Sequence, residues 1–315
     1  MNIFVTGATG LVGKRLLPAL TNRGDTVVAL SRRATPSTPS VEWITGDPCM
    51  PGPWIEKLQT CDAVVHLAGE PIMGHRWSDT FLKRVRDSRV ASTRIIAEAL
   101  AKHPAGKVFI AGSAVGIYGA NPGDMELTED SQPGSDVMAS ITKDWEAAAE
   151  PAKAAGVRVA QPRTGIVLDR AGGALPKMAL PFKMFAGGRI GNGKQYLAWI
   201  HHADMTGLLL FALDHLQLHG PFNATARTPV RNAEFSRELA RVLHRPNWLP
   251  APKFALRIVI GRAAEIAVGG QNAVPRKALD AGYRFRFETV GEALNNLLSR
   301  DAQRSDLERS AARRG

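Results

Sequence analysis

The chain has 315 residues, enough for one large α/β domain or for a ligand-binding domain with a smaller lobe. Its net charge of +11 comes from basic residues spread along the chain, without zinc-finger spacing or an aromatic-interleaved basic stripe, so we expect no nucleic-acid partner. Cys49 and Cys61 lack metal or redox spacing and no apolar run reaches membrane-spanning length, which predicts a cytoplasmic protein with no metal site and no membrane partner.

The chain opens with the apolar run Asn2–Thr6, which leads directly into a turn with glycine at every third position. Leucines at helical spacing predict a helix over residues 14–22, and residues 26–30 read as a second strand. Strand, glycine turn, helix and strand form the beginning of a dinucleotide-binding βαβ unit, although an ordinary loop is the alternative. We predict that the turn binds the phosphates of a dinucleotide through Gly7, Thr9, Gly10, Leu11, Val12 and Gly13.

The residues after the second strand indicate which dinucleotide is bound. An NAD site places Asp or Glu there to accept hydrogen bonds from the ribose 2′-hydroxyl, whereas this chain has Ser31, Arg32 and Arg33. A guanidinium binds a 2′-phosphate that a carboxylate would repel. The three residues therefore predict NADP as the cofactor, and a solvated basic loop is the alternative reading.

Further strands and helices alternate along the chain. Strand-like runs cover Val41–Thr45 and residues 63–67, 107–111, 157–162 and 222–225, and helical patterns cover residues 77–100, 145–154, 175–185 and 205–215, the last with Asp204 as its expected N-cap. This alternation predicts an α/β fold with a Rossmann-type doubly wound parallel sheet.

The composition changes after residue 168, where glycine pairs surround an apolar helix. We predict an NADP-binding domain over residues 1–168, completed by about residues 200–226. A smaller C-terminal substrate lobe would comprise residues 169–199 and 227–300, and residues 301–315 are expected to be a disordered tail.

The glycine spacing resembles that of the short-chain dehydrogenase/reductase superfamily, in particular its extended, epimerase-like branch. This resemblance implies that Asp47 lies beside the adenine, although Asp47-Pro48 is also a common turn initiator. It also implies that the exit of the fourth strand, Leu67, Ala68 and Gly69, passes under the cofactor ribose.

In this superfamily a Ser or Thr hydrogen-bonds the substrate oxygen, and a Tyr-x-x-x-Lys pair supplies the acid/base and its activating cation. Lys143 matches the lysine and is expected to bind the ribose, but Ala139 stands at the tyrosine position. Ser113 matches the serine, one residue earlier than in the usual pattern. Arg163, after the sixth strand, is a further candidate for the cofactor site, and it could instead anchor a substrate or close the sheet edge. The residues whose chemistry suits a replacement acid are Asp136, Ser140, Tyr118, Tyr196, His201 and His202.

Several longer motifs resemble an atypical subgroup, the "epimerase family proteins", which combine an NAD-dependent epimerase/dehydratase-like domain with a C-terminal DUF1731-like segment. They include Gly-Ser-Ala-Val-Gly-Ile-Tyr-Gly, Lys-Asp-Trp-Glu-Ala-Ala and Trp-Ile-His-His-Ala-Asp. The subgroup characteristically lacks the tyrosine. We therefore expect an NADP-dependent oxidoreductase or epimerase-like enzyme, monomeric or homodimeric, acting on an unidentified small alcohol or carbonyl compound. The alternatives are an NADP(H)-binding sensor without turnover and a glycosyl-nucleotide epimerase.

Overall fold

The computed structural model describes residues 1–73, 75–120, 123–252, 261–263 and 269–299. The strands of its main sheet are β1 (Asn2–Thr6), β2 (Thr26–Ser31), β3 (Val41–Thr45), β4 (Ala63–His66), β5 (Val108–Ala111), β6 (Ser113–Ala114), β7 (Arg158–Thr164) and β12 (Gly220–Ala224). Their order is β12-β7-β5-β4-β1-β2-β3, with β6 paired to β7, and every pair is parallel.

The strand order reverses between β1 and β4. The chain moves from β1 outward through β2 to β3, then returns to β4 on the other side of β1 and continues through β5 and β7 to β12. Ile3 consequently pairs with Val27 on one side and with Ala63 on the other. In open α/β sheets a ligand crevice forms at such a reversal, beyond the carboxyl ends of the strands. The predicted α/β, doubly wound fold is confirmed.

Helices cover both faces of the sheet. They are α1 (Leu11–Asn22), α2 (Trp54–Gln59), α3 (Asp79–Ala101), α4 (Val137–Ala147), α5 (Glu150–Ala154), α6 (Ala174–Lys183), α7 (His202–Asp214), α8 (Asn232–Leu243), α9 (Arg276–Asp280) and α10 (Val290–Leu298). One core cluster joins α1 and α7 to the sheet through residues such as Leu16 and Leu208. The cluster on the opposite face joins α2, α3 and α5 through Leu58, Ile96 and Ala152. Both faces of the central strands are thereby buried, as a parallel sheet requires.

A third core lies among the elements that follow β7. Two small sheets are present, one of β8 (Ile166–Asp169), β9 (Gly172–Gly173) and β11 (Trp199–His201), the other of β10 (Tyr196–Leu197) and β13 (Val230–Arg231). Leu175 of α6, Phe235 of α8 and Leu294 of α10 are packed in one buried cluster. This part of the chain contains most of the predicted substrate lobe, whose boundaries remain a prediction.

Two predicted helices differ from the structure. The helix expected over residues 145–154 is two helices, since α4 begins at Val137 and α5 follows it. The helix expected to be capped by Asp204 begins at His202 and is capped by His201, whose ring accepts a hydrogen bond from the backbone N–H of Ala203. Asp204 lies inside α7, where it is buried and accepts hydrogen bonds from the backbone N–H groups of residues 286 and 287. The predicted tail lies outside the described residues.

Candidate cofactor and active site

The glycine turn is packed so tightly that side chains would collide with backbone. Gly7 has φ +69°, and a Cβ there would lie 2.6 Å from the carbonyl carbon of Leu67. A Cβ at Gly13 would lie 2.3 Å from the carbonyl oxygen of Gly7. Gly10 is the N-cap of α1 and provides no capping side chain. The first N–H groups of the helix are therefore without a side-chain cap at the carboxyl edge of β1, the arrangement that binds phosphate groups.

The residues expected to determine the cofactor preference lie at the ends of β2 and β3. Arg32 and Arg33 are exposed, and among the described residues neither forms an ion pair with a carboxylate. Ser31 accepts a hydrogen bond from the backbone N–H of Arg33 at 3.2 Å. Asp47 accepts one from the backbone N–H of Cys49 at 2.9 Å, so it does stabilise a turn. Burial and the Asp47 charge raise the pKa of Cys49 to about 11, and the charge of Arg32 opposes this shift.

A hydrogen-bonded histidine joins β1, β4 and α3 beneath the turn. The fully buried ring of His66 lies 2.6 Å from Thr6 Oγ1 through Nδ1 and 2.9 Å from Ser92 Oγ through Nε2. Ser92 donates its own proton to the carbonyl of Ser88 at 2.6 Å, so the bonding pattern assigns the ring proton to Nε2. Burial, together with the nearby cation of Arg89, lowers the pKa of His66 to about 3.

Ser113 belongs to a buried polar network at the ends of β5 and β7. Its hydroxyl donates to Glu146 Oε1 at 2.6 Å, and Arg163 donates from Nε to the same oxygen and from Nη2 to Oε2 at 2.9 and 3.0 Å. Arg163 Nη1 also donates to the hydroxyl of Tyr118 at 3.0 Å. Although burial opposes its charge, Glu146 holds the pKa of Arg163 above its usual range. In this structure the Ser113 hydroxyl and the Arg163 guanidinium therefore both donate hydrogen bonds to other groups of the protein.

The residues of α4 that face the segment 113–118 differ from the expected pair, Ala139 and Lys143. Ala139 is fully buried, so its methyl group is enclosed by protein and no water-sized gap lies beside it. Lys143 is exposed. A Cβ at Gly116 would lie 3.5 Å from Thr142 Oγ1 and 3.7 Å from the Cβ of Met138. The pair one turn apart that faces this segment is therefore Met138 and Thr142.

Most of the other candidates for a proton carrier have structural contacts. Asp136 caps α4 through Ala139 N at 2.9 Å and also accepts from Ala120 N at 2.6 Å. The hydroxyl of Tyr118 lies 2.7 Å from Asn223 Oδ1 and 2.9 Å from the carbonyl oxygen of residue 128. The ring of Tyr196 lies under the guanidinium of Arg231, and Ser140 is exposed on α4.

The two adjacent histidines lie side by side, although a strand would have placed them on opposite faces. Their ring centroids are 4.4 Å apart, because His202 already belongs to α7 while His201 ends β11. His201 is buried, caps the helix and contacts Asn296 Oδ1 at 3.1 Å. Burial, followed by the charge of His202, lowers the pKa of His201 to about 3. Its contacts support a structural role.

One contact that sequence patterns did not reveal connects α1 to the β8–β9 hairpin. Arg15 donates from Nε and Nη2 to the two carboxylate oxygens of the buried Asp169 at 2.7 and 2.8 Å. A Cβ at Gly173 would lie 2.8 Å from Leu11 Cδ2, so the hairpin packs against the first residue of α1. The partners are 154 residues apart, so no local sequence pattern could indicate this contact.

Neither a metal centre nor a membrane-spanning helix is found in the described part of the chain. No group of three or more His, Cys, Asp or Glu side chains is placed to hold a metal ion. None of the helices there is both long and apolar enough to cross a membrane.

Comparison with known proteins identifies relatives over nearly the whole chain. Residues 3–141 match the model of the NAD dependent epimerase/dehydratase family, and residues 251–297 match a domain of unknown function, DUF1731. An epimerase family protein of Mycobacterium leprae is 38% identical over 96% of this chain and 97% of its own. The human epimerase family protein SDR39U1 is 36% identical over 95% of this chain and 100% of its own.

Solved structures agree with these matches. A crystal structure of human SDR39U1 with NADPH superimposes with a TM-score of 0.83 at 33% identity, covering 95% of this chain and 99% of the human one. A nucleoside-diphosphate sugar epimerase from Corynebacterium glutamicum gives 0.78 at 33% identity, covering 98% of this chain and 61% of that one. The resemblance inferred from the motifs is confirmed: this chain belongs to the epimerase family proteins, an atypical branch of the extended short-chain dehydrogenases/reductases.

Proposed function

We propose that the crevice at the carboxyl ends of the strands binds NADPH. The observation that supports this most is the glycine turn at the start of α1, where the N-cap residue supplies no capping side chain. Two exposed arginines follow β2 along the same edge and form no ion pair with a described residue. Anionic groups are stabilised at both places, the pyrophosphate by α1 and a 2′-phosphate by Arg32 and Arg33. NADPH in the human relative's crystal structure agrees with this assignment.

Residues along the edge would hold the rest of the cofactor. Ser31 and Asp47 lie at the ends of β2 and β3, beside the proposed adenosine site. The backbone of residues 67–69 follows β4, beneath the proposed ribose. Lys143 is exposed on α4 and free to approach the ribose hydroxyls, whereas Arg163 would support the site by holding Glu146. Bound NADPH would supply a hydride, and the protein would position its acceptor.

We further propose that the protein is an oxidoreductase or epimerase-like enzyme acting on a small alcohol or carbonyl compound. Ser113 is the proposed partner of the substrate oxygen, and for this role its hydroxyl must turn away from Glu146. Helix α4 contains no tyrosine that could act as the acid. Because general acid catalysis contributes roughly 10² to 10⁴ in rate, we expect slow turnover of simple carbonyl compounds.

The second candidate is an NADPH-binding sensor without turnover. The hydrogen bond from Ser113 to Glu146 and the enclosed methyl group of Ala139 favour it, since neither residue then presents a proton donor to the crevice. Binding and turnover separate the two proposals. Titration of NADPH fluorescence measures binding, and absorbance at about 340 nm measures oxidation of NADPH with a panel of aldehydes, ketones and 2-oxo acids. Binding without oxidation by any compound would support the sensor, and oxidation that Ser113→Ala removes would support the enzyme.

A further inference from the structure

Arg89 of α3 is a half-buried cation that forms no ion pair with any residue the structure describes. Its Nη1 donates to the carbonyl of Val85 at 3.0 Å, and its guanidinium carbon lies 5.1 Å from the centre of the Trp145 ring. Among the described residues, no carboxylate comes within ion-pair distance of it. Burial lowers the pKa of Arg89 to about 10 and the charge of Glu70 opposes this shift, so the side chain still carries its charge at neutral pH.

Three other inward-facing arginines of the described chain have more polar partners, although Nε of Arg158 is itself unpaired. Arg163 and Arg15 each bind both oxygens of one carboxylate. Arg158 donates to four backbone carbonyls between residues 212 and 218. Arg89 has five N–H donors, and one of them forms a hydrogen bond within the described part of the chain. Because Arg89 uses fewer of its donors than these arginines, we infer that the remaining donors are available to a ligand.

Its position places those donors at the edge of the crevice. A Cβ at Gly69 would lie 3.3 Å from the guanidinium carbon of Arg89. Gly69 is exposed and comes two residues after Leu67, which touches the glycine turn. On the other side, Trp145 lies against Gly112, where a Cβ would be 2.9 Å from its ring. The guanidinium is therefore held between the end of β4 and the ring that covers the end of β5.

We propose that Arg89 binds an oxyanionic group, a carboxylate or a phosphate, of a molecule in this crevice. The inference rests on the proposed function in that the crevice is taken to hold NADPH. The group belongs to the substrate or to the cofactor. The substrate is favoured because α1 and the exposed arginines already face the cofactor phosphates, whereas Arg89 lies toward Gly112, next to Ser113. A planar guanidinium suits either oxyanion through paired hydrogen bonds.

The test compares Arg89→Met, which removes the charge, with Arg89→Lys, which keeps it, and with Arg94→Met as a matched control. Arg94 is an exposed arginine on the same helix. Fluorescence titration gives the NADPH affinity of each protein. Calorimetry gives the affinity of oxamate and of inorganic phosphate, both for the protein alone and for its NADPH-saturated form. Thermal unfolding checks that every variant is folded.

We expect Arg89→Met to weaken the binding of oxamate or phosphate at least about tenfold and to leave the NADPH affinity within about twofold of that of the unmodified protein. Arg89→Lys should bind the probes with an affinity between those of Arg89→Met and the unmodified protein. Arg94→Met should have the same affinities as the unmodified protein. A tenfold loss of NADPH affinity instead, with the probes unaffected, would assign the oxyanion to the cofactor. Unchanged affinities in folded Arg89→Met, or no binding of either probe together with unchanged NADPH affinity, would overturn the proposal. Failure of the unmodified protein to bind NADPH would count against the proposed function alone, since the probes are also measured without cofactor.

Discussion

Acidification should destabilise this protein through His66. The ring is fully buried and neutral between Thr6 and Ser92, and its pKa is lowered to about 3 by burial and by Arg89. In the unfolded chain a histidine titrates near 6.5, so between these values the unfolded state binds a proton that the folded state does not. The contribution to stability is therefore present above about pH 6.5 and is lost as the pH falls toward about 3.

The size of the effect follows from the shift. Each pH unit inside the window costs up to about 1.4 kcal/mol, so His66 alone should remove roughly 2 kcal/mol between about pH 6.5 and about pH 4.5. His201 has a similar shift and should act in the same direction. Carboxylates with lowered pKa values, such as Asp169 and Asp25, add to the loss at the lower end. The contribution of His66 must therefore be measured as a difference between proteins.

Urea unfolding over this pH range in unmodified protein, His66→Gln and His103→Gln isolates that difference. His103 is exposed and serves as the matched histidine control. His66→Gln should be less stable at neutral pH, because two buried hydroxyls lose their geometry, but its stability should fall less steeply with acid by roughly 2 kcal/mol. His103→Gln should follow the unmodified protein. If His66→Gln showed the same pH dependence as the unmodified protein, the buried neutral histidine would be refuted.

Four further substitutions test the cofactor site and the packing of α4. Arg32→Glu should reverse or abolish the preference for NADPH over NADH in calorimetry, and an unaltered preference would show that this side chain does not meet the 2′-phosphate. Gly10→Val should weaken NADPH binding at least about tenfold, while its melting temperature stays near that of the unmodified protein. Gly13→Ala, whose Cβ would lie 2.3 Å from the Gly7 carbonyl, should instead lower the stability itself, and equal melting temperatures for both glycine variants would contradict the described turn. Ala139→Tyr should cost about 1–3 kcal/mol in urea unfolding without creating activity, because the methyl is fully enclosed, and a stable, active variant would place it at the crevice after all.

The beginning of the fold could be predicted closely because its signals are local. Asn2–Thr6 was expected as a strand and is β1, and the glycine turn passes directly into α1. Apolar runs also located the other strands of the main sheet to within a few residues, except the two-residue β6. The parallel, doubly wound type of the sheet followed from the alternation of strands and helices, since parallel neighbours need crossovers.

The interior of the site was harder to predict, because its contacts join distant residues. Ser113 meets Glu146, 33 residues later, and Glu146 meets Arg163 after 17 more. Neither spacing is periodic, so the sequence did not indicate that Ser113 and Arg163 both bind Glu146. On α4 a difference of one residue turns a side chain by about 100°. The motif alone could not tell Ala139 and Lys143 from Met138 and Thr142.

The central claim is that the crevice is an NADPH site, and calorimetric affinities of unmodified protein for NADPH and NADH test it most directly. The exposed Arg32 and Arg33, with no acid among the residues that follow β2, predict that NADPH binds at least about tenfold more tightly, or about 1.4 kcal/mol. The preference should shrink in high salt, since it depends on charges exposed to solvent. Equal affinity for the two cofactors, or no binding of either, would contradict the account.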